Sequence, residues 1–238
     1  MSRKMAMHPR FNGSSTKGPE GLRRIGSPFL FGLILAAAVT GCSNAEFVPD
    51  ITLAPARPII DATAEFHDLH PAPALLSGKE SFGLAGPDAK AVPPRVLANQ
   101  VQEELLDAFE QAGVFSKITP FDRQPDLILT GRINALHEHY RPRVWTKLPL
   151  PYFGKMAAGM LDLKTHSSSG EADLTLFLLT TSGELIGTYR GSSSFDENFN
   201  PTGEMAPGAR LNRALADAVQ KIQDQMLHDS RLRTIASR

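Results

Sequence analysis

Cys42 is the only cysteine of the 238-residue chain, and that limits how any fold here can be held. No disulfide can form within the chain, so a packed core must supply the stability that cross-links supply in small secreted domains. The position of the cysteine is as informative as its solitude. It closes the run Leu35-Ala36-Ala37-Ala38-Val39-Thr40-Gly41-Cys42. The apolar stretch from Phe29 to Val39 is about half of the ~20 residues that a membrane-spanning helix needs. Upstream stand Arg3, Lys4, Arg10, Lys17, Arg23 and Arg24, with Glu20 as the one acid. A cationic start, a short apolar core and small residues at its end describe a secretory signal, expected over residues 1–41. Met5 and Met7 are alternative starts.

Val39-Thr40-Gly41-Cys42 resembles the lipobox of bacterial lipoproteins. The resemblance implies a diacylglyceryl group on the Cys42 sulfur, cleavage before that residue, and acylation (palmitate-type) of the new amino terminus. Ser43 follows in place of an aspartate, which in Gram-negative bacteria implies transfer to the outer membrane, with the body facing the periplasm. One fatty chain binds a membrane only marginally, at ~0.8 kcal/mol per buried CH₂, whereas two or more hold stably. Three chains would make a near-permanent anchor.

The leader carries six of the 25 basic residues and one of the 25 acidic ones, which leaves a mature chain of net charge −5. A mildly acidic body offers no footprint for nucleic acid and no charge-driven adhesion to anionic lipid. Residues 42–58 read as a flexible tether, with Pro49, Pro55 and Pro58 and no sustained period. Sixteen residues from Ser43 could extend ~50 Å, enough to free a domain from the bilayer. A single domain is expected over residues 59–230, followed by a tail over 231–238.

Within that domain, Ile60 to His67 alternates apolar and polar residues, as a half-buried strand does. A Pro- and Gly-rich loop follows from His70 to Pro93. Leu97, Val101, Leu105, Ala108 and Ala112 then form one stripe of a helix that starts at Pro94 and stops at Gly113. Val114 to Ile118 is a short strand and Asp126 to Leu136 a long one, apolar on both faces near its start. Ala172–Leu179 and Leu185–Arg190, flanking Thr181-Ser182-Gly183-Glu184, predict a hairpin. Leu211, Leu215, Ala218, Ile222 and Met226 share a face of a closing helix. This order predicts an α+β two-layer sandwich: a mixed or antiparallel sheet of about five strands, with two amphipathic helices on one face.

The amphipathic helix, Ala112-Gly113-Val114-Phe115, and the strand Asp126-Leu127-Ile128-Leu129-Thr130-Gly131-Arg132-Ile133 are similar to periplasmic lipoproteins with the fold of the TolB amino-terminal domain. They are also similar to auxiliary lipoproteins of ABC-type lipid transport systems. The resemblance covers about forty residues and rests on a packing pattern, so it carries a fold and a compartment but no catalytic residue. It implies an accessory part of an envelope complex.

Between the long strand and the hairpin, Arg141 to Ser169 gathers the only tryptophan, an aromatic pair and two methionines. Long loops without their own structure are uncommon and often functional. Trp145, Leu148, Tyr152, Phe153 and Met156 are the candidates for binding a partner protein or lipid, if they face solvent. The other reading is a lid folded over a sheet edge or the core. Ser167-Ser168-Ser169-Gly170 reads as a flexible loop.

Motifs for chemistry are scarce. His137 and His139 share a face of a strand, but a metal site needs three or four ligands, and His67 and His70, flanking Asp68 near the end of the first strand, are candidates for the remainder. Exposed edge histidines are the simpler reading, so no metal and no cofactor are expected. Ser192-Ser193-Ser194 lacks the spacing of a nucleophile elbow, and no phosphate-cradling or dinucleotide loop is present. Asp196 and Glu197, adjacent on a strand, would point to opposite faces. The expectation is a non-enzymatic accessory lipoprotein with an envelope partner. A module for lipid or a small apolar ligand is the alternative, and a hydrolase or metal-binding protein comes third.

Overall fold

The computed structural model describes residues 45–57, 59–143, 164–199 and 206–235, all within one compact unit, Cys42–Arg238. Their elements run β1 (Ile60–Pro71), α1 (Pro73–Leu76), β2 (Phe82–Ala85), α2 (Pro94–Ala112), β3 (Phe115–Thr119), β4 (Leu127–Pro142), β5 (His166–Thr180), β6 (Leu185–Phe199), α3 (Ala209–His228) and α4 (Ser230–Ile235). The strands form one open mixed sheet in the order β3-β1-β4-β5-β6, and β2 also pairs with β4. β1 lies parallel to β3 and to the first half of β4; β2 lies parallel to the second half. β5 and β6 continue the sheet antiparallel.

The sheet has six strands where about five were expected. The extra one, β2, lies inside the stretch that reads as a Pro- and Gly-rich loop. Four residues with Gly83 among them are too few to set up a period. β4, β5 and β6 are also longer than their apolar cores suggest. The ladder continues through the polar stretch to Pro142↔His166 and His166↔Phe199. Ser167 to Ser169, expected in a flexible loop, is therefore strand.

Along β4, Leu127, Leu129, Ile133 and Leu136 are buried, while Thr130, Arg132, His137 and His139 take the other face. The buried face receives the helices, giving the two layers. Every residue of the expected α2 stripe is buried, with Ala98 and Phe109 beside it. Gly113 ends this helix at φ 67°, ψ 42°, and its N–H returns to the helix carbonyls. That left-handed conformation costs glycine no Cβ clash. The stripe of α3 is also buried. Gly191 lets α3 approach β6 closely: a Cβ there would lie 1.8 Å from the carbonyl oxygen of Ala218.

Residues 45–57 do not behave as a free tether. Phe47, Ile51 and Ala56 are part of the hydrophobic core. Ala45 bridges Ala89, with its N–H donating to the Asp88 carbonyl and its own carbonyl accepting from Lys90 N–H, both at 2.8 Å. The strap then follows α3: Asp50 N–H donates to Asn212 Oδ1, Ala54 N–H to Gln220 Oε1, and Gln223 Nε2 to the Ala54 carbonyl. Ala56 N–H donates to the Ala112 carbonyl at the end of α2. Side-chain amides along the strap and isolated backbone bonds at its two ends, not a strand ladder, hold this segment, so it leaves no periodic signal in the sequence.

Candidate functional site

Several elements terminate at one end of the sheet. β4 finishes and β5 starts at the paired residues Pro142 and His166, β6 finishes at Phe199, and β2 ends at Ala85 beside His139. The start of α3 meets them there. On the helix side, Glu138 and Ser168 are fully buried, and Arg210 nearly so. Ser168 Oγ donates to Glu138 Oε1 at 2.6 Å, and Gly208 N–H donates to Glu138 Oε2 at 2.9 Å. Arg210 Nη1 stands 4.0 Å from Glu138 Oε1, and its Nε is 3.4 Å from Glu197 Oε2. The guanidinium carbon lies 3.7 Å over the ring of Phe199.

Gly208 is the residue before α3, and no side chain of the helix's own N-terminus caps it. Glu138 meets that need from the sheet. Its carboxylate accepts from an N–H at the helix start, where the aligned peptide dipoles favour an anion. A serine hydroxyl beside a carboxylate could suggest a nucleophile and base. Here both side chains are buried, and the pair fastens α3 to the hairpin, although Ser168 also borders the cavity on the opposite face.

On the opposite face, a cavity of about 450 Å³ opens at the same end, lined by Gly86, His139, Arg141, Ser167, Ser169 and Asp196 among others. His137 and His139 stand edge-on with ring centroids 5.5 Å apart. Burial pushes His137 below the ordinary histidine value. The neighbouring His139 adds to that, while Glu171 and Glu80 oppose it. Burial also lowers His166, against the pull of Asp88. Nearer the middle of the sheet, burial raises Asp173, but hydrogen bonds from Arg190 and Asn134 outweigh it and hold this carboxyl below its usual range.

His67 and His70 do not join His137 and His139. β1 pairs with β4 only as far as Ile133, so His70 stands opposite Arg132, five residues from His137. At ~3.3 Å per residue this is roughly 16 Å. His67 Nε2 instead lies 3.3 Å from Glu65 Oε1. Among the described residues, no three or more His, Cys, Asp or Glu side chains come together to hold a metal. Asp196 and Glu197 do point to opposite faces, Asp196 to the cavity and Glu197 to Arg210.

Cys42 and the aromatic candidates Trp145, Leu148, Tyr152, Phe153 and Met156 lie outside the described residues. The two flanks of the aromatic segment are described. Arg143 N–H donates to the Thr165 carbonyl at 2.9 Å, so these two flanks meet at the end of the sheet that carries the Glu138 cluster. The cluster itself escaped the sequence reading. Its signal was the alternation that continues inward through Leu136, Glu138 and Tyr140.

No family model matches the chain, and no curated protein matches it. Solved structures do align along most of it. Protein XCC0632 from Xanthomonas campestris, of the DUF330 family, shares 10% identity with a TM-score of 0.49, over 77% of this chain and 95% of that one. A PelC dodecamer from Paraburkholderia phytofirmans shares 11% identity with a TM-score of 0.31, over 74% and 92%. A minor lipoprotein from Acinetobacter baumannii shares 12% identity with a TM-score of 0.27, over 66% and 91%. These likenesses are distant, and function has to be read from this chain's own residues.

Proposed function

We propose that the chain is a lipoprotein anchored through acyl chains on Cys42 in the outer membrane, facing the periplasm. In this reading it serves an envelope complex as a non-enzymatic accessory or assembly component. The observation that carries this reading is the run Val39-Thr40-Gly41-Cys42 behind a cationic leader and a short apolar core, with no other cysteine in the chain. The polar groups of the domain support a role without catalysis. Ser168 and Glu138 are occupied in holding α3, and the four candidate histidines stay in two separate places. The aromatic segment, with Trp145, Leu148, Tyr152, Phe153 and Met156, supplies the side chains suited to a partner. A lipid-handling complex is the kind of assembly implied by the resemblance of the helix and long strand.

Metabolic labelling with palmitate and affinity capture from envelopes test this reading together. The tagged protein is expected to carry label and to bring down an envelope partner. Cys42→Ser should lose the label and leave the membrane fraction. The double variant Trp145→Ser, Phe153→Ser should lose the partner with its thermal midpoint unchanged. A label that persists in Cys42→Ser, or capture indifferent to the double variant, refutes the corresponding half.

A further inference from the structure

The strap changes what a lipid on Cys42 would do. A sixteen-residue leash would let the domain roam, but the chain is already fixed at Ala45, whose N–H and carbonyl are both bonded to residues 88–90. Glu46 is paired with Lys90 Nζ at 2.6 Å, and Phe47 is buried in the core against the start of α3. Two residues, Ser43 and Asn44, lie between Cys42 and Ala45, and the three Cα–Cα steps reach about 10–11 Å when fully extended. We propose that the end of the domain built from Ala45, Glu46, Val48 and the turn 86–90 faces the bilayer that holds Cys42, in one fixed orientation. The inference rests on the lipidation of Cys42 and goes beyond it, because it assigns the face and the distance.

One feature of that end fits a membrane surface. Val48, three residues after Ala45, is a large apolar side chain left 65% exposed. Charge does not select this face, since Glu46 is matched by Lys90, and Asp196 shares the cavity with Arg141. Attachment selects it instead: a short link holds the face at high effective concentration against the bilayer. The same end bears the cavity around Gly86, His139 and Arg141. The β5–β6 turn lies at the far end of the sheet, because Thr180 pairs with Leu127 while Ala85 pairs with His139. About twelve residues of β4 separate these levels, roughly 40 Å.

The test uses the absence of other thiols, since an acylated Cys42 cannot react with a maleimide. Fluorophores are placed singly at Asp88→Cys and Ser182→Cys in the acylated protein. Each protein is reconstituted in phosphatidylethanolamine–phosphatidylglycerol vesicles containing lipid with a nitroxide on its headgroup. The expected result is several-fold stronger quenching at position 88 than at 182. Inserting a Gly/Ser spacer of about 20 residues between Ser43 and Asn44, with a typical span of ~25 Å, should bring position 88 down to the level of 182 while the protein still floats with the vesicles. Equal quenching at the two positions in the acylated protein overturns the orientation and leaves the anchor standing. If Cys42→Ser floats as well as the native chain, the anchor falls, and the orientation with it.

Discussion

On the helix side of the sheet, Glu138 and Arg210 have side chains 0% and 3% exposed, and their contacts join β4, β5, β6 and α3. On the open side, Asp173 is as well buried at 5%, but its partner Arg190 is 66% exposed. The carboxylates are alike and their settings are not. A charge sealed between layers has no water to turn to if its partner goes, and then its whole desolvation cost is felt. An arginine at the surface can be rehydrated at once, so the open-face pair contributes mostly through the hydrogen bonds that Asp173 accepts. The difference teaches where the domain is vulnerable: at the end that carries the strap and the start of α3, not across the polar face.

Breaking that contrast should have its largest effect at Glu138. Glu138→Ala takes the buried carboxylate away from Arg210 and from the Gly208 N–H, and a loss of about 3–5 kcal/mol is expected, as for other buried pairs that lose one member. Chemical denaturation read by circular dichroism measures it. The paired substitution Glu138→Leu, Arg210→Met should recover much of that loss, because two apolar side chains leave no buried charge behind. If Glu138→Ala costs no more than a surface substitution, the buried cluster is not what fastens α3.

Asp173 should give an intermediate effect. Its carboxylate accepts from Arg190 Nε at 3.0 Å and from Asn134 Nδ2 at 3.1 Å, with a further contact to Arg190 Nη2. Asp173→Asn keeps the shape, removes the charge, and should cost about 1–2 kcal/mol, less than the buried pair because Arg190 returns to water. The same measurement repeated at high salt sharpens the comparison. The cost at Asp173 should shrink as exposed charge is screened, and the cost at Glu138 should hardly change.

The two faces also differ in how well the sequence announces them. The apolar stripes of α2 and α3 repeat at helical spacing, and the core they fill follows directly from Leu97, Val101, Leu105 and from Leu211, Leu215, Ile222. The alternation of β4 likewise assigns its faces, and on β6 the same rule gives the opposed directions of Asp196 and Glu197. What the sequence hides are features made by contacts distant along the chain. Glu138 meets Gly208 across 70 residues, and Asp50 meets Asn212 across 162. No local period encodes either. Pro49 and Pro55 made the strap look loose, whereas α3 supplies Asn212, Gln220 and Gln223 as its hydrogen-bonding partners. The polar ends of the long strands were hidden for a related reason. Ser167 to Ser169 and Ser192 to Asn198 lack apolar alternation, and pairing with neighbours alone makes them strand.

The smallest effect is expected at the opposite end of α3, where a third carboxylate tests whether partial exposure or partner number sets the strength. Asp229 Oδ2 accepts from Tyr189 Oη at 2.8 Å, and both its oxygens face Arg231. The hydrogen bond from Arg231 is the main cause that holds Asp229 down at about 2, against an ordinary 3.8, and the Tyr189 hydroxyl adds to it. A carboxyl with a lowered value in the folded chain stabilises the fold above its ordinary value, and that contribution fades as pH falls from 3.8 towards about 2. Because Arg231 is exposed, screening reduces the contribution of Asp229 to about 1 kcal/mol. Thermal midpoints followed across this acid window should fall less steeply in Asp229→Asn than in the native chain, with the two curves separated by a constant amount near neutrality. Asp229 already has two partners, so parallel curves through the window would mean that number of partners counts for nothing at a surface open to water, and that the strength of Glu138 comes from its burial alone.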